Sequence, residues 1–257
     1  MKKNRIIFLG TGTSQGVPVI ACDCKICTSN DPKDARLRSS VYVEYEGLKL
    51  VVDSGPDFRQ QMLREKIQKV DSILFTHEHK DHTAGLDDVR AFNFKWKMDM
   101  PLYAEERVQA SLKNEFSYIF SGIKYPGIPQ VNLVPILENV PLNIQGKIIE
   151  PIRGFHYKLP VFGFRFGGLS YITDINSMPN EEIEKIKGSE ILVINALRKE
   201  KHISHFNLDE ALEFIEKVQP KKAYLTHISH LFGLHELEMK TLPEGVEIAF
   251  DGLNLSF

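Results

Sequence analysis

No stretch of this 257-residue chain is long and apolar enough to span a membrane. The first apolar run, Ile6 to Leu9, follows Lys2, Lys3 and Arg5 but stops at Gly10, too early for the core of a signal peptide. Neither sign of charge dominates. With 32 basic and 34 acidic residues the formal net charge is −2, which supplies no global field for nucleic acid or an anionic membrane and leaves only a local basic patch open. Cysteine is scarce and odd in number, so its three copies cannot all pair within the chain, and a reducing compartment would keep them as thiols. Low-complexity and linker-like stretches are missing as well. These absences predict a cytoplasmic chain with one domain, residues 1–257, and no membrane or nucleic-acid partner; a homodimer is left open.

What is present is concentrated. T-H-E-H-K-D-H, Thr76 to His82, follows the apolar run Ile73, Leu74, Phe75 and precedes an amphipathic segment that starts near Ala84. Three histidines and two acids after a strand end make a poor core and an odd surface. Imidazole with carboxylate suits Zn²⁺ and neighbouring transition metals. His77 and His79 alternate to one side, and the turn that follows swings Asp81 and His82 to a neighbouring point. The segment predicts a metal site, for two ions. All three cysteines fall in A-C-D-C-K-I-C, at Cys22, Cys24 and Cys27. Thiolates at this spacing converge on one ion, and the polar flanks Asp23, Lys25, Thr28 and Ser29 argue against three thiols serving as small hydrophobes. Zinc prefers four ligands, so a fourth must come from elsewhere.

Taken in order, Arg5–Leu9 reads as a buried strand leading into G-T-G-T-S-Q-G-V-P, Gly10 to Pro18. That loop lacks the lysine of a phosphate loop and no helix pattern follows, so a tight structural turn is expected. Ser40–Tyr45 and Leu48–Asp53 form a hairpin around Glu46-Gly47. Asp53, at the mouth of the second strand, either caps the Asp57–Lys66 helix or supports the site; the second is preferred. Leu86–Phe94 and Glu105–Phe116 read as helices. Phe92, Phe94, Trp96, Tyr118, Phe120 and Tyr125 lie in a loop-prone region, most of them expected to pack the core and a minority to wall a pocket. Five strands follow between Val131 and Thr173. Glu181–Lys187 is a helix, Ile191–Ile194 a strand, and Asn207–Val218 a helix with Asn207 as N-cap and Glu210 three residues on. Strands at Lys222–Leu225, Val246–Ala249 and Leu253–Leu255 complete the chain. The two halves share an element order without a clear sequence repeat. Helices outside two packed sheets account for it.

His77, His79, Asp81 and His82, then His156, Asp174 and His227, all lie just past apolar strand ends, which a sandwich can bring to one rim. This pattern resembles the metallo-β-lactamase superfamily over essentially the whole chain. The resemblance implies an αββα four-layer sandwich of two mixed sheets flanked by helices. One divalent metal would be held by His77, His79 and His156, and the other by Asp81, His82 and His227, with Asp174 bridging. Asp53 would support the site without binding metal. G-T-G-T-S-Q-G-V-P, the cysteine loop and L-T-H-I-S-H together look like the phosphoribosyl cyclic phosphate phosphodiesterases. From that subgroup, Cys22, Cys24, Cys27 and His230 would hold a structural zinc, and His205 in S-H-F-N-L would contact phosphate or serve the leaving group. His230 lies three residues after His227, so one segment would serve both sites. His202 and His235 are left as incidental polar side chains.

The implied function is a dinuclear hydrolase, dependent on zinc or manganese, acting on a small cyclic phosphodiester such as phosphoribosyl 1,2-cyclic phosphate. The nucleophile would be a hydroxide shared by two ions, which bring water's pKa near neutrality. His205, Asp81 and Asp53 are the candidate catalytic residues. Three other readings stay open. A tRNA 3′-end endonuclease shares the motif but normally carries a long arm, and no matching Gly/Lys-rich insertion is visible. A thioester, lactone or β-lactam hydrolase is not excluded by the motif, because Asp81 fits phosphodiesterases and thioesterases alike. A non-catalytic metal-binding sensor fits less well with a complete ligand set.

Overall fold

The computed structural model describes residues 4–122 and 126–257; Lys2, Lys3 and Tyr125 lie outside the described residues. With strands numbered in chain order, one sheet contains β1 (Arg5–Gly10), β2 (Ser40–Tyr45), β3 (Leu48–Val52), β4 (Ser72–Leu74), β5 (Met100–Ala104), β6 (Val131–Pro135) and, from the other end of the chain, β14 (Asn254–Ser256). The second contains β7 (Leu142–Ile144), β8 (Lys147–His156), β9 (Leu159–Phe166), β10 (Leu169–Tyr171), β11 (Ile191–Asn195), β12 (Lys222–Thr226) and β13 (Val246–Ile248). The strand orders are 14-1-2-3-4-5-6 and 13-12-11-10-9-8-7, seven strands in each sheet. In both, the β14-to-β3 or β7-to-β10 part pairs antiparallel and the rest pairs parallel. The shared element order of the two halves is therefore a shared pairing pattern.

Period-two alternation sorts the side chains into layers. On β9, Phe162, Phe164 and Phe166 face the other sheet with Phe8, Val43 and Leu50, while Val161 faces the opposite way, toward helices. Each such aromatic ring, fully withdrawn from water, contributes roughly 1.5–3 kcal/mol. Outside the first sheet, α1 (Phe58–Arg64), α3 (Arg90–Trp96) and α4 (Glu106–Glu115) cover Ile7, Val51 and Ile73 with Phe58, Phe92 and Leu112. Outside the second, α6 (Asn180–Ile186) and α7 (Leu208–Val218) cover Leu192, Ile194 and Leu225 with Ile186, Phe214 and Val218. This is the expected αββα sandwich.

Several local expectations are revised. The helix expected at Leu86–Phe94 starts as a 3-10 turn, Leu86–Val89, and becomes α-helical only from Arg90. β5 had no place in the sequence reading, because Pro101 argues against a strand interior; Met100, Leu102 and Ala104 are nevertheless buried on one face, and β4 pairs with β5 only from Leu102 onward. Short helices α2 (Lys80–Thr83), α5 (Ser117–Phe120) and α8 (His235–Met239) also went unrecognised. Each is too short to show a helical period. The aromatic region packs less than expected: Phe92 is buried against Phe58, whereas Phe94, Trp96 and Tyr118 are exposed.

The N-cap of α7 is as anticipated. The Asn207 side chain accepts from the Glu210 amide at 2.9 Å, and Glu210 accepts from the Asn207 amide at 3.0 Å. Asn207 also donates to the carbonyl of Lys199, which ties the segment before the helix to the cap. Asn207→Ala should lower unfolding free energy by about 1 kcal/mol, measured by chemical denaturation.

Candidate metal centre

Strand ends from both sheets deliver one cluster. β3 leads to Asp53, β10 to Asp174 and β12 to His227, and all three of these residues have left-handed backbones, with φ of 64°, 60° and 58°. Such backbones cost non-glycine residues energy and persist where surrounding structure holds them. Glycines make the packing feasible beside α2. The amide of Ser54 donates to the His82 carbonyl and the amide of Gly85 to the Ser54 carbonyl. A Cβ on Gly55 would lie 2.0 Å from the Asp81 carbonyl oxygen, and one on Gly85 would lie 2.0 Å from that of Gly55.

Asp53 is wholly buried and accepts from the Thr76 amide (2.9 Å), the Thr76 hydroxyl (2.8 Å) and, 2.7 Å away, faces Nδ1 of His82. It neither caps α1, whose N-cap is Asp57, nor faces outward. Its place is behind His82, as preferred from sequence. The opposite nitrogen of His82, Nε2, lies 3.2 Å from Asp81 Oδ2 and 3.5 Å from Asp174 Oδ2. Asp174 Oδ1 lies 3.1 Å from His227 Nε2 and 3.9 Å from His205 Nδ1. The other face of His227 is fixed by Ser39, whose Oγ sits 3.1 Å from Nδ1 and donates to the Gly12 carbonyl. The Gly10–Pro18 turn thus serves as the support for a site residue. His77 Nε2 and His79 Nδ1 converge to 3.0 Å, and the ring of His156 lies 5.9 and 5.2 Å from theirs, centroid to centroid.

Asp81, His82, Asp174 and His227 place ligand atoms within 4.8 Å of one another, and so do His156, Asp174 and His205. Electrostatics fit a cation. Burial lowers the pKa of His77, His156 and His227, keeping their imidazoles neutral as metal ligation requires. Burial opposes ionisation of Asp174, yet His227 and His82 hold it well below the usual carboxylate range. Burial works against the charge on His82 too, but Asp81, Asp174 and Asp53 push its pKa well above normal. In the protein alone a proton on His82 balances those acids. Nε2 of His82 is nonetheless buried without a hydrogen bond, as is Nδ1 of His156, and buried nitrogens of this kind demand a partner. A divalent cation would satisfy them.

The second cluster is separate. Sγ of Cys22, Cys24 and Cys27 lie 3.2, 3.5 and 3.5 Å from Nδ1 of His230. The Cys27 amide and His230 draw the Cys24 thiol down to about 6, whereas burial pushes that of Cys27 up to about 11. The four donors match the tetrahedral preference of zinc.

Two histidines depart from the sequence reading. His235 is buried, with Nδ1 3.2 Å from Arg36 Nη2, so it belongs to the framework. His202 is half-buried, and its ring lies 5.1 Å from that of His205, at the rim of the cluster. Arg107 also went unnoticed. It pairs with Glu78, inside the histidine motif, and donates to the Pro160 carbonyl at 2.5 Å, joining the His77–His79 loop to the hairpin that carries His156. Nothing local in sequence marks that long-range contact.

A beta-lactamase superfamily domain model matches residues 49–228, which contain every member of the histidine–aspartate cluster. The chain belongs to the metallo-β-lactamase superfamily. Within it, the crystal structure of a diphosphatase from the PhnP family is 41% identical, with a TM-score of 0.93 over 99% of this chain and 97% of that one. The chain is thus PhnP-like in sequence and in fold. Octanoyltransferase of Porphyromonas gingivalis (strain ATCC BAA-308 / W83) is 37% identical over 251 residues, 97% of this chain but 51% of the relative. The chain therefore spans about half the length of that relative. Zn²⁺-bound PqqB from Methylobacterium extorquens, at 17% identity and a TM-score of 0.79 over 98% of this chain and all (100%) of that one, shares the superfamily fold.

Two outcomes test the centre. Asp53→Ala should weaken divalent-metal affinity at the His82 side by about 10–100-fold, read by competitive chelator titration, with folding checked by circular dichroism. Cys24→Ser should remove about one equivalent of zinc per chain while sparing metal bound at the histidine–aspartate cluster, read by metal analysis and thermal midpoint.

Proposed function

We propose that this protein hydrolyses a small phosphoester, with a cyclic phosphodiester or a diphosphate ester as the substrate class. Asp174 carries the reading: one buried carboxylate faces His82, His227 and His205, so two metal positions and a substrate-facing imidazole would share a centre. His77, His79 and His156 would hold one ion and Asp81, His82 and His227 the other, with Asp174 between them. Bound there, zinc or manganese would supply Lewis acidity and an acidified water. The diphosphatase of the PhnP family, at 41% identity, supports phosphorus chemistry.

The chain's own residues supply orientation. Asp53 holds His82 through Nδ1, and Ser39 holds His227 through Nδ1, which leaves both Nε2 atoms directed at Asp174. His205 stands between the rings of His156 and His227, 4.4 and 4.8 Å away, and is 7% exposed. Burial and the adjacent His227 bring its pKa down to about 2. It would therefore meet an anionic phosphoryl group as a neutral N–H donor, and a bound phosphoryl anion would itself raise that value. Of the two roles anticipated for His205, contact with phosphoryl oxygens is the better supported.

The octanoyltransferase relative gives the thioester reading its one specific observation, but that relative is twice as long, so its acyl chemistry need not reside in the matched half. The tRNA reading gains nothing from the described residues: the longest segment between named elements, residues 11–39, folds onto the His230 and His227 loops. A reducing, cytoplasmic setting is proposed with this function, because the cysteine cluster needs thiolates.

With manganese- or zinc-reconstituted protein and bis(p-nitrophenyl) phosphate, His205→Ala should lower kcat/KM by about 10²–10³-fold at unchanged metal content. His205→Gln should recover part of the loss if an N–H donor suffices. Loss of metal with His205 would make it a ligand. Hydrolysis of octanoyl thioesters without any phosphodiester turnover would overturn the reading.

A further inference from the structure

Two loops meet beside His205, and one side chain joins them. Asn176 accepts from the Tyr157 amide at 2.9 Å and donates to the Ile203 carbonyl at 2.9 Å. Its own amide donates to the Phe155 carbonyl. The β8–β9 turn after His156 and the segment before His205 are thereby fixed to each other at the rim of the metal cluster.

These loops carry cations that no carboxylate among the described residues neutralises. Lys199 pairs with Glu238, and elsewhere around the cluster Arg38 pairs with Asp57, Lys80 with Glu115 and Arg107 with Glu78. Arg198, by contrast, donates only to the carbonyls of Glu200 and Lys201, and Lys158 lies 5.5 Å from the Tyr157 ring. Among the described residues, Arg198, Lys201 and Lys158 have no carboxylate partner within ion-pair distance. His202 stands with them, half-buried, 5.1 Å from His205. The same loops expose large apolar groups: Tyr157 is 53% and Ile203 68% exposed. Tyr157 is held out by a left-handed backbone, φ 58°, directly after His156. Cations without carboxylate partners on loops that also expose flat or branched apolar side chains suit a phosphoryl group linked through a sugar to an aromatic base.

We infer that this rim is a second subsite, which takes the distal phosphoryl group and base of a nucleoside diphosphate ester while His205 meets the reacting phosphoryl. Arg198, Lys201 and His202 contact the distal phosphoryl; Tyr157 and Ile203 flank the base. The inference rests on the phosphoester reading and narrows its substrate class.

Calorimetry on metal-reconstituted protein tests it with adenosine 5′-(α,β-methylene)diphosphate, inorganic diphosphate and bis(p-nitrophenyl) phosphate as probes. The nucleotide analogue should bind more tightly than inorganic diphosphate. His202→Ala and Arg198→Ala/Lys201→Ala should each weaken the analogue by about tenfold, and more than they reduce kcat/KM on the small diester. Tyr157→Ala should weaken the analogue but not inorganic diphosphate. Equal losses on all probes, no loss in any variant, or no binding of the analogue by the parent protein would overturn the subsite. Side-chain-dependent binding of the analogue without diester turnover would leave the subsite standing and overturn the phosphoester reading instead.

Discussion

One imidazole is held between two aspartates that occupy equivalent places in the two halves of the chain. His82 has Asp53 at 2.7 Å from Nδ1 and Asp174 at 3.5 Å from Nε2. Asp53 follows β3 and Asp174 follows β10, the strands at which each sheet changes from antiparallel to parallel pairing. Both have left-handed backbones. Two buried carboxylates facing one ring are tolerable only when positive charge lies between them, because desolvation penalises unpaired charge far more than pairing stabilises it. That requirement organises the rest: His227 and His205 crowd Asp174 from the second sheet, and His77 and Asp81 come with His82 from the first.

The cost of such an assembly falls on the backbone. Three site residues sit at positive φ, and two glycines let chain segments approach closer than any Cβ would allow. The surrounding framework keeps these features in place: Ser39 and the Gly10–Pro18 turn behind His227, Thr76 behind Asp53, and the Arg107 bridge between Glu78 and Pro160. The Cys22–Cys24–Cys27–His230 cluster extends that framework, since His230 shares a short segment with His227. A cation there would tie the loop of residues 19–28 to the floor of the catalytic cluster.

Sequence disclosed the cluster well because its members are chemically conspicuous and lie past apolar strand ends. The H-x-H-x-D-H run, the isolated Asp after Val52 and the T-H-I-S-H segment need no knowledge of distance. The strands flanked by turns and the α7 capping box were legible for the same reason: their signals are local. Elements too short for a period, such as α2 and β5, were not. His235 and His202 looked alike in sequence, yet one is buried against Arg36 and the other stands beside His205. Only tertiary packing separates them. The exposed Phe94, Trp96 and Tyr118 make the same point in reverse, because apolar character alone does not say which face of a helix meets the core.

On the proposed reading, substrate choice would depend on a different part of the structure from catalysis. The ligand cluster is anchored in the two cores, and the sandwich that positions it is a fold shared with a 17% identical PqqB. The loops at residues 157–158 and 198–203 are anchored by Asn176, the Asn207 cap, the Lys199–Glu238 pair and backbone contacts of Arg198. Substitution there disturbs few buried contacts, whereas substitution at Asp53 or Asp174 leaves a buried imidazole without its counter-charge. A fold built this way can change what it binds while keeping what it does to the bond. That division would explain why a motif sufficient to identify the superfamily leaves the substrate open.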